Sequence, residues 1–405
     1  MRAGESSSPP TATRVGPVSL QATIKAHLAS HRPWDTMVVG AGPGGALAAH
    51  QLAVRGLSVL LVDRQAFPRR KVCGACLSAS ALSLLQRLGL GEIVGRLGGV
   101  RLHRLHLAGW SRHASIPLPP GASLSREAFD TALIRSAIEA GAEFLPRARA
   151  SLLDCRADCR RVGLDFAGGR LVISARVVVM ADGLASGFRA GRTARPAPAL
   201  RYGAGAVSAR GPAFYRPGTI YMAVGTGGYV GLVRLQDGRL NVAAAFDRSR
   251  LRRRSGPASS ASEIIAEAGL PPIAGLRSLV WKGTPALALG REVVAAERSF
   301  AVGDAGGSIE PFTGEGIRWA LSSAVSLAPL AHRAALAWDP SLADRWERDY
   351  RATVLRAQRP CRVLARLLRR PLLARLAIAA VAHNPNLAGP VIRKLDARPV
   401  LREAT

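Results

Sequence analysis

Apolar residues near the start of the chain form two short runs on either side of a helical segment. Thr36–Val39 and Ser58–Val62 have the length and composition typical of buried strands. Between them, Ala46–Arg55 carries small residues on the face that would meet a sheet, and Gly56 is placed to end a helix. A strand, a helix and a second apolar strand in this order predict a βαβ unit with parallel strands.

The pattern changes further along the chain. Ala175–Met180 and Ser299–Val302 are again short apolar strands, but many short alternating runs lie between them, separated by turn residues such as Asp237-Gly238. This alternation predicts a mainly antiparallel sheet. Residues 341–395 have a helical pattern that is broken by three prolines.

The turn between the first strand and the first helix carries candidate chemistry. Gly40-Ala-Gly42-Pro-Gly-Gly45 has the spacing G-x-G-x-x-G, in which successive glycines allow a tight turn, close approach to a pyrophosphate, and helix–strand packing. The helix N-terminus then offers N–H groups to the phosphates. Asp63 follows the second strand about 20 residues later, where a carboxylate can bind ribose hydroxyls. These residues predict a dinucleotide site, which could hold NAD or FAD.

Two later motifs favour FAD over NAD. Together with the glycine motif of the first turn, they resemble the motifs of a known flavoprotein family. Asp182-Gly183 belongs to a D-G-x-x-S-x-x-R motif that includes Ser186 and Arg189, and Gly303-Asp304 follows an apolar strand. The three motifs resemble, over roughly residues 34–330, the flavoproteins with the fold of para-hydroxybenzoate hydroxylase. The resemblance implies that the Asp182 loop lies near the pyrophosphate and the nicotinamide path, and that Asp304 holds the ribityl chain.

The chain resembles the geranylgeranyl reductase branch of this group more than the aromatic hydroxylases. Pro311-Phe-Thr-Gly-Glu-Gly316 matches the branch's P-F-x-G-E-G, Lys71-Val-Cys73-Gly74 matches its K-x-C-G, and Arg126-x-x-Phe-Asp130 matches its R-x-x-F-D helix. A helix from about Gly316 would direct its positive end at the flavin ring. The residues assigned to FAD on this basis are Gly40, Gly42, Gly44, Gly45, Asp63, Arg64, Arg126, Asp182, Gly183, Gly303, Asp304, Pro311, Gly314, Gly316 and Ile317.

These motifs and patterns predict an α/β protein in which a Rossmann-like FAD-binding domain is interleaved with a mainly antiparallel substrate domain. A C-terminal helical segment follows, and a partly disordered extension rich in Ser, Pro, Gly and Thr precedes the first strand. The expected divisions are residues 1–33 for the extension, residues 34–79, 121–195 and 284–340 for the FAD-binding domain, residues 80–120 and 196–283 for the substrate domain, and residues 341–405 for the helical segment.

The resemblance implies two alternative reactions. In the first, NAD(P)H reduces FAD and hydride passes to a carbon–carbon double bond of a hydrophobic substrate, with Tyr229 or Cys73 as proton donor. In the second, a monooxygenase hydroxylates an aromatic or polyketide-like substrate. Prenyl reductases carry Y-x-W-x-F-P on the substrate sheet, but here the segment is Tyr229-Val-Gly-Leu-Val-Arg234, so the substrate stays open. The W-x-W-x-I-P of flavin halogenases is also absent, which argues against halogenation.

The pair Cys73-x-x-Cys76 has three interpretations. It could be half of a zinc site completed by Cys155 and Cys159, a redox disulfide, or one active-site cysteine beside one packing cysteine. The family pattern does not bring the two pairs together, and the second nucleotide fingerprint typical of disulfide reductases is missing. We therefore predict no metal, an active-site role for Cys73, and a packing role for Cys76.

The charge of the chain is strongly positive, at +29, although only four of its 56 basic residues are lysines. Aromatic residues make up 5% of the chain and no nucleic-acid motif is present, so we expect no nucleic-acid partner. No apolar run is long enough to span a bilayer, and the odd cysteine count and missing signal core indicate a reducing cytoplasm. The C-terminal mixture of arginines and aliphatic residues is typical of either a membrane-surface helix or a helical cap. The oligomeric state is not predicted.

Overall fold

The fold is taken from a computed structural model, which describes residues 19–185, 201–253, 256–287 and 293–396. Within these residues, the chain forms two eight-stranded sheets together with helices that continue to the C-terminal end. The predicted α/β class, with a Rossmann-like sheet, a mainly antiparallel sheet and a C-terminal helical segment, is confirmed. The strands are β1 (Trp34–Val39), β2 (Val59–Asp63), β3 (Cys76–Leu77), β4 (Val100–Gly109), β5 (Arg112–Ser123), β6 (Glu143–Pro146), β7 (Arg149–Cys155), β8 (Arg160–Phe166), β9 (Gly169–Met180), β10 (Arg201–Ser208), β11 (Thr219–Gly225), β12 (Gly228–Arg234), β13 (Leu240–Asp247), β14 (Lys282–Ala286), β15 (Ala295–Ala296) and β16 (Ser299–Ala301).

The helices begin at residues that suit a helix start. Pro43 and Pro371 each occupy the first position of a helix, where the missing N–H of proline costs no hydrogen bond. The helices are α1 (Ala26–Ser30), α2 (Pro43–Ala53), α3 (Ala79–Arg87), α4 (Glu92–Arg96), α5 (Arg126–Glu139), α6 (Arg248–Arg253), α7 (Pro257–Glu267), α8 (Gly316–Leu336), α9 (Ser341–Tyr350), α10 (Arg359–Leu368), α11 (Pro371–His383) and α12 (Gly389–Asp396).

The first sheet has a parallel core. Strand β1 pairs in parallel with β2 on one side and β9 on the other, β16 extends the sheet next to β9, and β6 extends it next to β2. Every residue of β2 and nearly every residue of β1 is buried, as expected for a parallel sheet covered on both faces. The carboxyl ends of β1, β9 and β16 meet at one edge, which brings the turns after these strands together.

The second sheet has the order β14-β10-β13-β12-β11-β4-β5-β3 and is antiparallel except where β11 pairs with β4. Two of its strands cross the predicted divisions, because β5 continues to Ser123 and β14 begins at Lys282. The apolar pattern could not place these ends, since β14 is short, half exposed and defined only by its pairing with β10.

The C-terminal helices are anchored at the end of β16 and then extend over the second sheet. The indole Nε1 of Trp346 donates to the carbonyl of Ala301 at 3.1 Å, and the hydroxyl of Tyr350 donates to the carbonyl of Gly303 at 3.4 Å. Further along, Ile378 of α11 is buried, and a Cβ built on Gly109 of β4 would lie 2.8 Å from its Cδ1 atom. This last segment therefore contacts both sheets.

Candidate functional site

A cavity of about 1090 Å³ is lined by residues of both sheets and of the C-terminal helices. It includes the turns at the carboxyl ends of β1, β9 and β16, the edge where ligands of open α/β sheets bind. Gly45 does not line it. The other predicted residues all do: Gly40, Gly42, Gly44, Asp63, Arg64, Cys73, Arg126, Asp182, Gly183, Tyr229, Gly303, Asp304, Pro311, Gly314, Gly316 and Ile317.

Three glycines of the first motif serve the fold around the turn. Gly40 has a φ of +101°, and a Cβ on it would lie 2.4 Å from the carbonyl oxygen of Ala181. A Cβ on Gly45 would lie 1.7 Å from the carbonyl oxygen of Gly40, and one on Gly44 would lie 3.2 Å from that of Ala320 in α8. These glycines therefore let strand, helix and neighbouring helix pack closely.

Gly42 is different, because its side-chain position faces the cavity. Its backbone is extended, with φ −74° and ψ −177°, and the nearest atoms to a Cβ would be Nη2 of Arg69 at 3.6 Å and Nη2 of Arg126 at 3.9 Å. Two guanidinium groups thus converge in front of the N-terminus of α2. Nη1 of Arg69 is buried and has no hydrogen-bond partner among the described residues. The donor set fits a pyrophosphate, which would satisfy both cations and the first N–H groups of the helix.

Arg126 is held in place by Asp130 through two hydrogen bonds of 2.7 Å, one from Nε and one from Nη2. Burial alone would lower the pKa of Arg126, but the carboxylate of Asp130 and the sulfur of Cys73 raise it above its usual value. The sequence analysis identified Arg126 but missed Arg69, which lies 3.5 Å from Asp130. Nothing in the local pattern distinguishes Arg69 from the many other arginines of the chain.

Asp63 organises the turn that faces it. One of its carboxylate oxygens accepts from the backbone N–H of Ala41 and the other from that of Gln65, each at 2.8 Å. The carboxylate is buried at the wall of the cavity, whereas the neighbouring Arg64 is exposed. That Asp63 also contacts a ribose stays a prediction. The two hydrogen bonds show that its carboxylate shapes the first turn.

Asp304 lies in a 3-10 turn, Gly303–Gly306, directly after β16. Burial raises the pKa of its carboxyl, while the cations of Lys71 and Arg126 oppose that rise. Burial in turn lowers the pKa of Lys71, as do Arg69 and Arg126. Lys71 belongs to the K-x-C-G segment but is not among the predicted site residues, because its approach to Asp304 depends on packing between distant segments.

Lys71 also approaches the turn after β9. Its Nζ would be 3.7 Å from a Cβ on Gly183, a residue with φ +79° that opens a 3-10 turn. Asp182 and Gly183 both line the cavity. The motif residues Ser186 and Arg189 lie outside the described residues.

The segment from Pro311 to Gly316 opens toward the cavity and ends at the start of α8. Gly314 has φ +74°, and a Cβ on Gly314 or on Gly316 would meet no atom within 4 Å. Helix α8 is 21 residues long, so the positive end of a well-formed helix faces the space in front of these glycines. Such space suits a flat ring that accepts negative charge.

Tyr229 reaches this segment from the second sheet. Its ring packs edge-on against Phe312 with centroids 5.0 Å apart, and the guanidinium of Arg201 lies 5.6 Å from the ring centre. The side chain is 4% exposed, and its hydroxyl has no hydrogen-bond partner among the described residues. Burial, followed by the charge of Glu310, raises the pKa of Tyr229 well above its usual value, so the phenol stays protonated. A buried hydroxyl without a partner at a cavity wall is suited to meet a ligand.

An ion-pair cluster centred on the buried side chains of Arg201 and Glu310 lies next to Tyr229. Arg201 donates to Glu310 at 2.6 Å and to Asp247 at 2.9 Å, and Arg369 donates to the other oxygen of Glu310 at 2.9 Å. The cluster joins strand β10, the segment before Pro311 and the end of α10. The sequence analysis missed it, because its bonded members are separated by 46, 59 and 109 positions along the chain.

The two cysteines of the pair Cys73-x-x-Cys76 have different surroundings. Cys73 lies near Arg126, and its carbonyl accepts from the side chain of Asn241 at 2.9 Å. Cys76 belongs to β3, contacts the carbonyl of Gly74 at 3.1 Å, and has its pKa raised by burial and then by Cys73. Among the described residues, no three histidine, cysteine or acidic side chains are grouped as a metal site, and all five cysteines are free.

Comparison with known families identifies the cofactor for which these residues are suited. Residues 34–208 match the model of the FAD binding domain. FAD requires a pyrophosphate site, a partner for the ribityl chain and space for a flat ring. The arginines near Gly42, the carboxylate of Asp304 and the open glycines before α8 line one cavity and are suited to these three requirements. The cofactor is FAD.

Curated relatives cover most of the chain. A digeranylgeranylglycerophospholipid reductase of Methanopyrus kandleri is 30% identical over 348 residues, which cover 79% of this chain and 88% of the relative. A menaquinone reductase of Mycobacterium tuberculosis is 29% identical over 348 residues, which cover 78% of this chain and 81% of the relative.

Solved structures share the fold at lower identity. A flavoprotein/dehydrogenase of Cytophaga hutchinsonii has a TM-score of 0.75 at 16% identity, covering 90% of this chain and 93% of that one. A p-nitrophenol 4-monooxygenase of Pseudomonas putida has a TM-score of 0.73 at 16% identity, covering 90% of this chain and 98% of that one. At these identities the likeness shows the fold alone.

Proposed function

Because the chain belongs to the geranylgeranyl reductase family of FAD-dependent oxidoreductases, within the flavoproteins that share the fold of para-hydroxybenzoate hydroxylase, we propose that it reduces a carbon–carbon double bond of a hydrophobic substrate. Bound FAD would supply the hydride. The observation that carries the proposal is that Tyr229 lines the cavity and that its buried hydroxyl has no hydrogen-bond partner among the described residues. A reduction needs one proton for every hydride, and we propose that this hydroxyl provides it.

In the proposed reaction, one alkene carbon accepts hydride and the other accepts the proton of Tyr229. The raised pKa of Tyr229 keeps that proton on the oxygen until it is needed. Arg201 and Arg369 both favour the ionised form of Tyr229, so they would stabilise the phenolate until it recovers a proton from solvent. Glu310 keeps these two guanidinium groups in position.

The proposed substrate class follows from the cavity wall and from the relatives. Both named relatives act on isoprenoid lipids according to their names. Away from the cofactor segments, the cavity is lined mostly by aliphatic side chains, with few that can pair with a charge. The aliphatic lining residues include Leu102, Leu105, Leu107, Ile116, Leu118, Ile220, Met222, Leu364, Leu367, Ile378, Val381 and Ile392.

NAD(P)H is the proposed electron source, bound transiently near the turn that begins at Asp182. This turn lies at the cavity next to Lys71, which would attract a phosphate-bearing cofactor. Which of NADH and NADPH reduces the flavin is determined by the anaerobic reduction described in the next paragraph.

The proposed reaction is tested by product analysis. Purified protein should be yellow and should release FAD on denaturation. Reduced anaerobically with NADH or NADPH, it should be reoxidised by an unsaturated isoprenoid quinone or glycerophospholipid, and the product should gain two hydrogens. A product that gains one oxygen atom, formed only in air, would instead establish the alternative of a monooxygenase acting on an aromatic or polyketide-like substrate. A colourless protein that cannot be reconstituted with FAD would contradict both.

The different surroundings of the two cysteines lead to a second prediction. Both cysteines line the cavity, but Cys73 lies beside Arg126, so Cys73→Ala should keep FAD but lower turnover by at least about tenfold or change the product. Cys76→Ser should have little effect, because the raised pKa keeps that thiol protonated and unreactive. Thiol titration during turnover provides the control. If both variants lost activity equally and the pair cycled between dithiol and disulfide, Cys73 and Cys76 would be a redox pair.

We also propose a peripheral contact with the membrane through the C-terminal helices, on the cytoplasmic side. Residues 351–395 contain ten arginines and lysines and no aspartate or glutamate. Such a segment is attracted to anionic lipid headgroups. In the part of the chain that the structure describes, no helix is both long and apolar enough to cross a bilayer.

A further inference from the structure

Exposed hydrophobic side chains are concentrated on the outer surface of the C-terminal helices. We define the cap as residues 359–396, which include α10, α11 and α12. Half of the large hydrophobic side chains that are exposed among the described residues belong to the cap. These residues are Val363, Leu372, Leu373, Leu376, Leu387 and Val391.

Helix α11 is apolar on two opposite faces. Ala374 and Ile378 are buried against the protein, whereas Leu373 and Leu376 are 50% and 67% exposed. A helix at the surface of a water-soluble domain normally has one apolar stripe. A second one, surrounded by arginines, indicates that an apolar medium covers the outer face.

Two residues of this surface also line the cavity. Leu387 is 55% exposed and Val391 is 45% exposed, and both belong to the cavity wall. Leu118 and Pro119 of β5 line the same cavity and are partly exposed. The cavity therefore opens at the cap, and this opening is bordered by aliphatic side chains.

We propose that the cap docks on an anionic bilayer, and that a lipid substrate passes directly from the bilayer into the cavity through the opening between Leu387, Val391, Leu118 and Pro119. The passage of a lipid substrate rests on the proposed function, because that function identifies the substrate as a lipid. The docking of the cap does not rest on it. An isoprenoid chain that moves this way stays in contact with apolar surface and avoids transfer through water, which costs about 0.8 kcal/mol per methylene.

The charge of the cap favours a bilayer over another copy of the chain. The cap contains eight arginines and lysines and one acidic residue, Asp396, so two such surfaces would repel each other. Trp110, at the turn between β4 and β5, lies 5.5 Å from the guanidinium of Arg375 in α11. A tryptophan and an arginine beside exposed leucines are the side chains typical of a headgroup boundary.

The docking is tested with the FAD-loaded full chain and vesicles of phosphatidylcholine, with or without phosphatidylglycerol. The double variant Leu373→Glu/Leu376→Glu should bind the anionic vesicles at least tenfold more weakly in co-sedimentation. The matched control is Val54→Glu/Val280→Glu, which adds the same two charges at exposed valines outside the cap and should retain more of the binding. Neither pair lines the cavity, so FAD content should be unchanged. Equal losses in both variants would overturn the docking surface.

The opening of the cavity at the cap is tested by photolabelling, which does not require the enzyme to turn over. A polyisoprenoid alcohol that carries a diazirine is placed in the anionic vesicles, and labelled residues are mapped after photolysis. Labels should appear on the cavity-lining residues Ile378 and Ile392 as well as on the outer leucines, and Leu387→Arg/Val391→Arg should lower the inner labelling severalfold while the outer labels stay. Labelling confined to the outer leucines would overturn the opening. Failure of the proposed reaction would show separately, as inner labelling without a reduced product.

Discussion

Replacing Gly42 by valine should remove most of the bound FAD while leaving the fold intact. The backbone at Gly42 is extended, so valine can adopt it without strain, and a Cβ there would meet the protein only at ordinary contact distances from Arg69 and Arg126. The missing side chain therefore serves neither the backbone nor the packing. It leaves room for the pyrophosphate, and two added methyl groups would stand between the phosphates and both guanidinium groups. We expect affinity for FAD to fall at least about 100-fold, or about 2.7 kcal/mol.

The measurement is the ratio of flavin to protein after purification, followed by titration of the apoprotein with FAD. The matched control is Gly95→Val in α4. A Cβ at this position meets no atom within 4 Å, and Gly95 does not line the cavity. That variant should keep its FAD. The apoprotein of Gly42→Val should unfold at the same temperature as the apoprotein of the wild-type chain. Retention of FAD by Gly42→Val would contradict the prediction that the pyrophosphate binds at the N-terminus of α2.

The cofactor half of this site was largely predictable, because local sequence determines it. A turn that needs left-handed backbone at Gly40 and a strand followed by Gly303-Asp304 each arise within a few residues. The meeting of the three turns then follows from the rule that parallel strands end at one sheet edge. Arg69 could not be found in this way. It approaches Gly42 because the segment after β2 folds back over the turn, and its charge is one of many in an arginine-rich chain.

The substrate half was less predictable, because it depends on contacts between distant segments. The ion-pair cluster of Arg201, Glu310 and Arg369 joins three elements that share no local pattern. The helical character of the C-terminal residues was evident, but their place was not. A helix with two apolar faces, such as α11, gives no indication from its sequence of which face meets the protein. The apolar pattern therefore left both the membrane-surface and the cap interpretations open.

The pair Cys73-x-x-Cys76 shows how tertiary structure separates residues that the sequence treats alike. Cys76 lies in the short strand β3, which pairs with β5. The alternation of side chains along a strand therefore sets the direction of its sulfur. Cys73 precedes that strand and approaches Arg126, three residues before the buried Phe129 of α5. Spacing alone could not have shown that Arg126 and Cys73 meet, although the sequence analysis placed both in the site.

Replacing Tyr229 by phenylalanine should have opposite effects on activity and on stability. Without the hydroxyl no proton reaches the second carbon, so turnover should fall about 100-fold or more, while FAD binding and flavin reduction by NAD(P)H stay unchanged. Stability should not fall and should rise slightly, since a buried hydroxyl with no partner among the described residues costs free energy that phenylalanine does not incur.

The control for this prediction is Tyr221→Phe on the neighbouring strand β11. The hydroxyl of Tyr221 donates to the carbonyl of Phe214 at 2.6 Å and accepts from the N–H of Arg216 at 3.0 Å, and the residue does not line the cavity. Its loss should lower the free energy of unfolding by about 1 kcal/mol and leave turnover unchanged. The measurements are anaerobic turnover and thermal unfolding of both variants. If Tyr229→Phe were destabilised like Tyr221→Phe and still turned over normally, the hydroxyl of Tyr229 would be structural and the proton would come from Cys73 or from water.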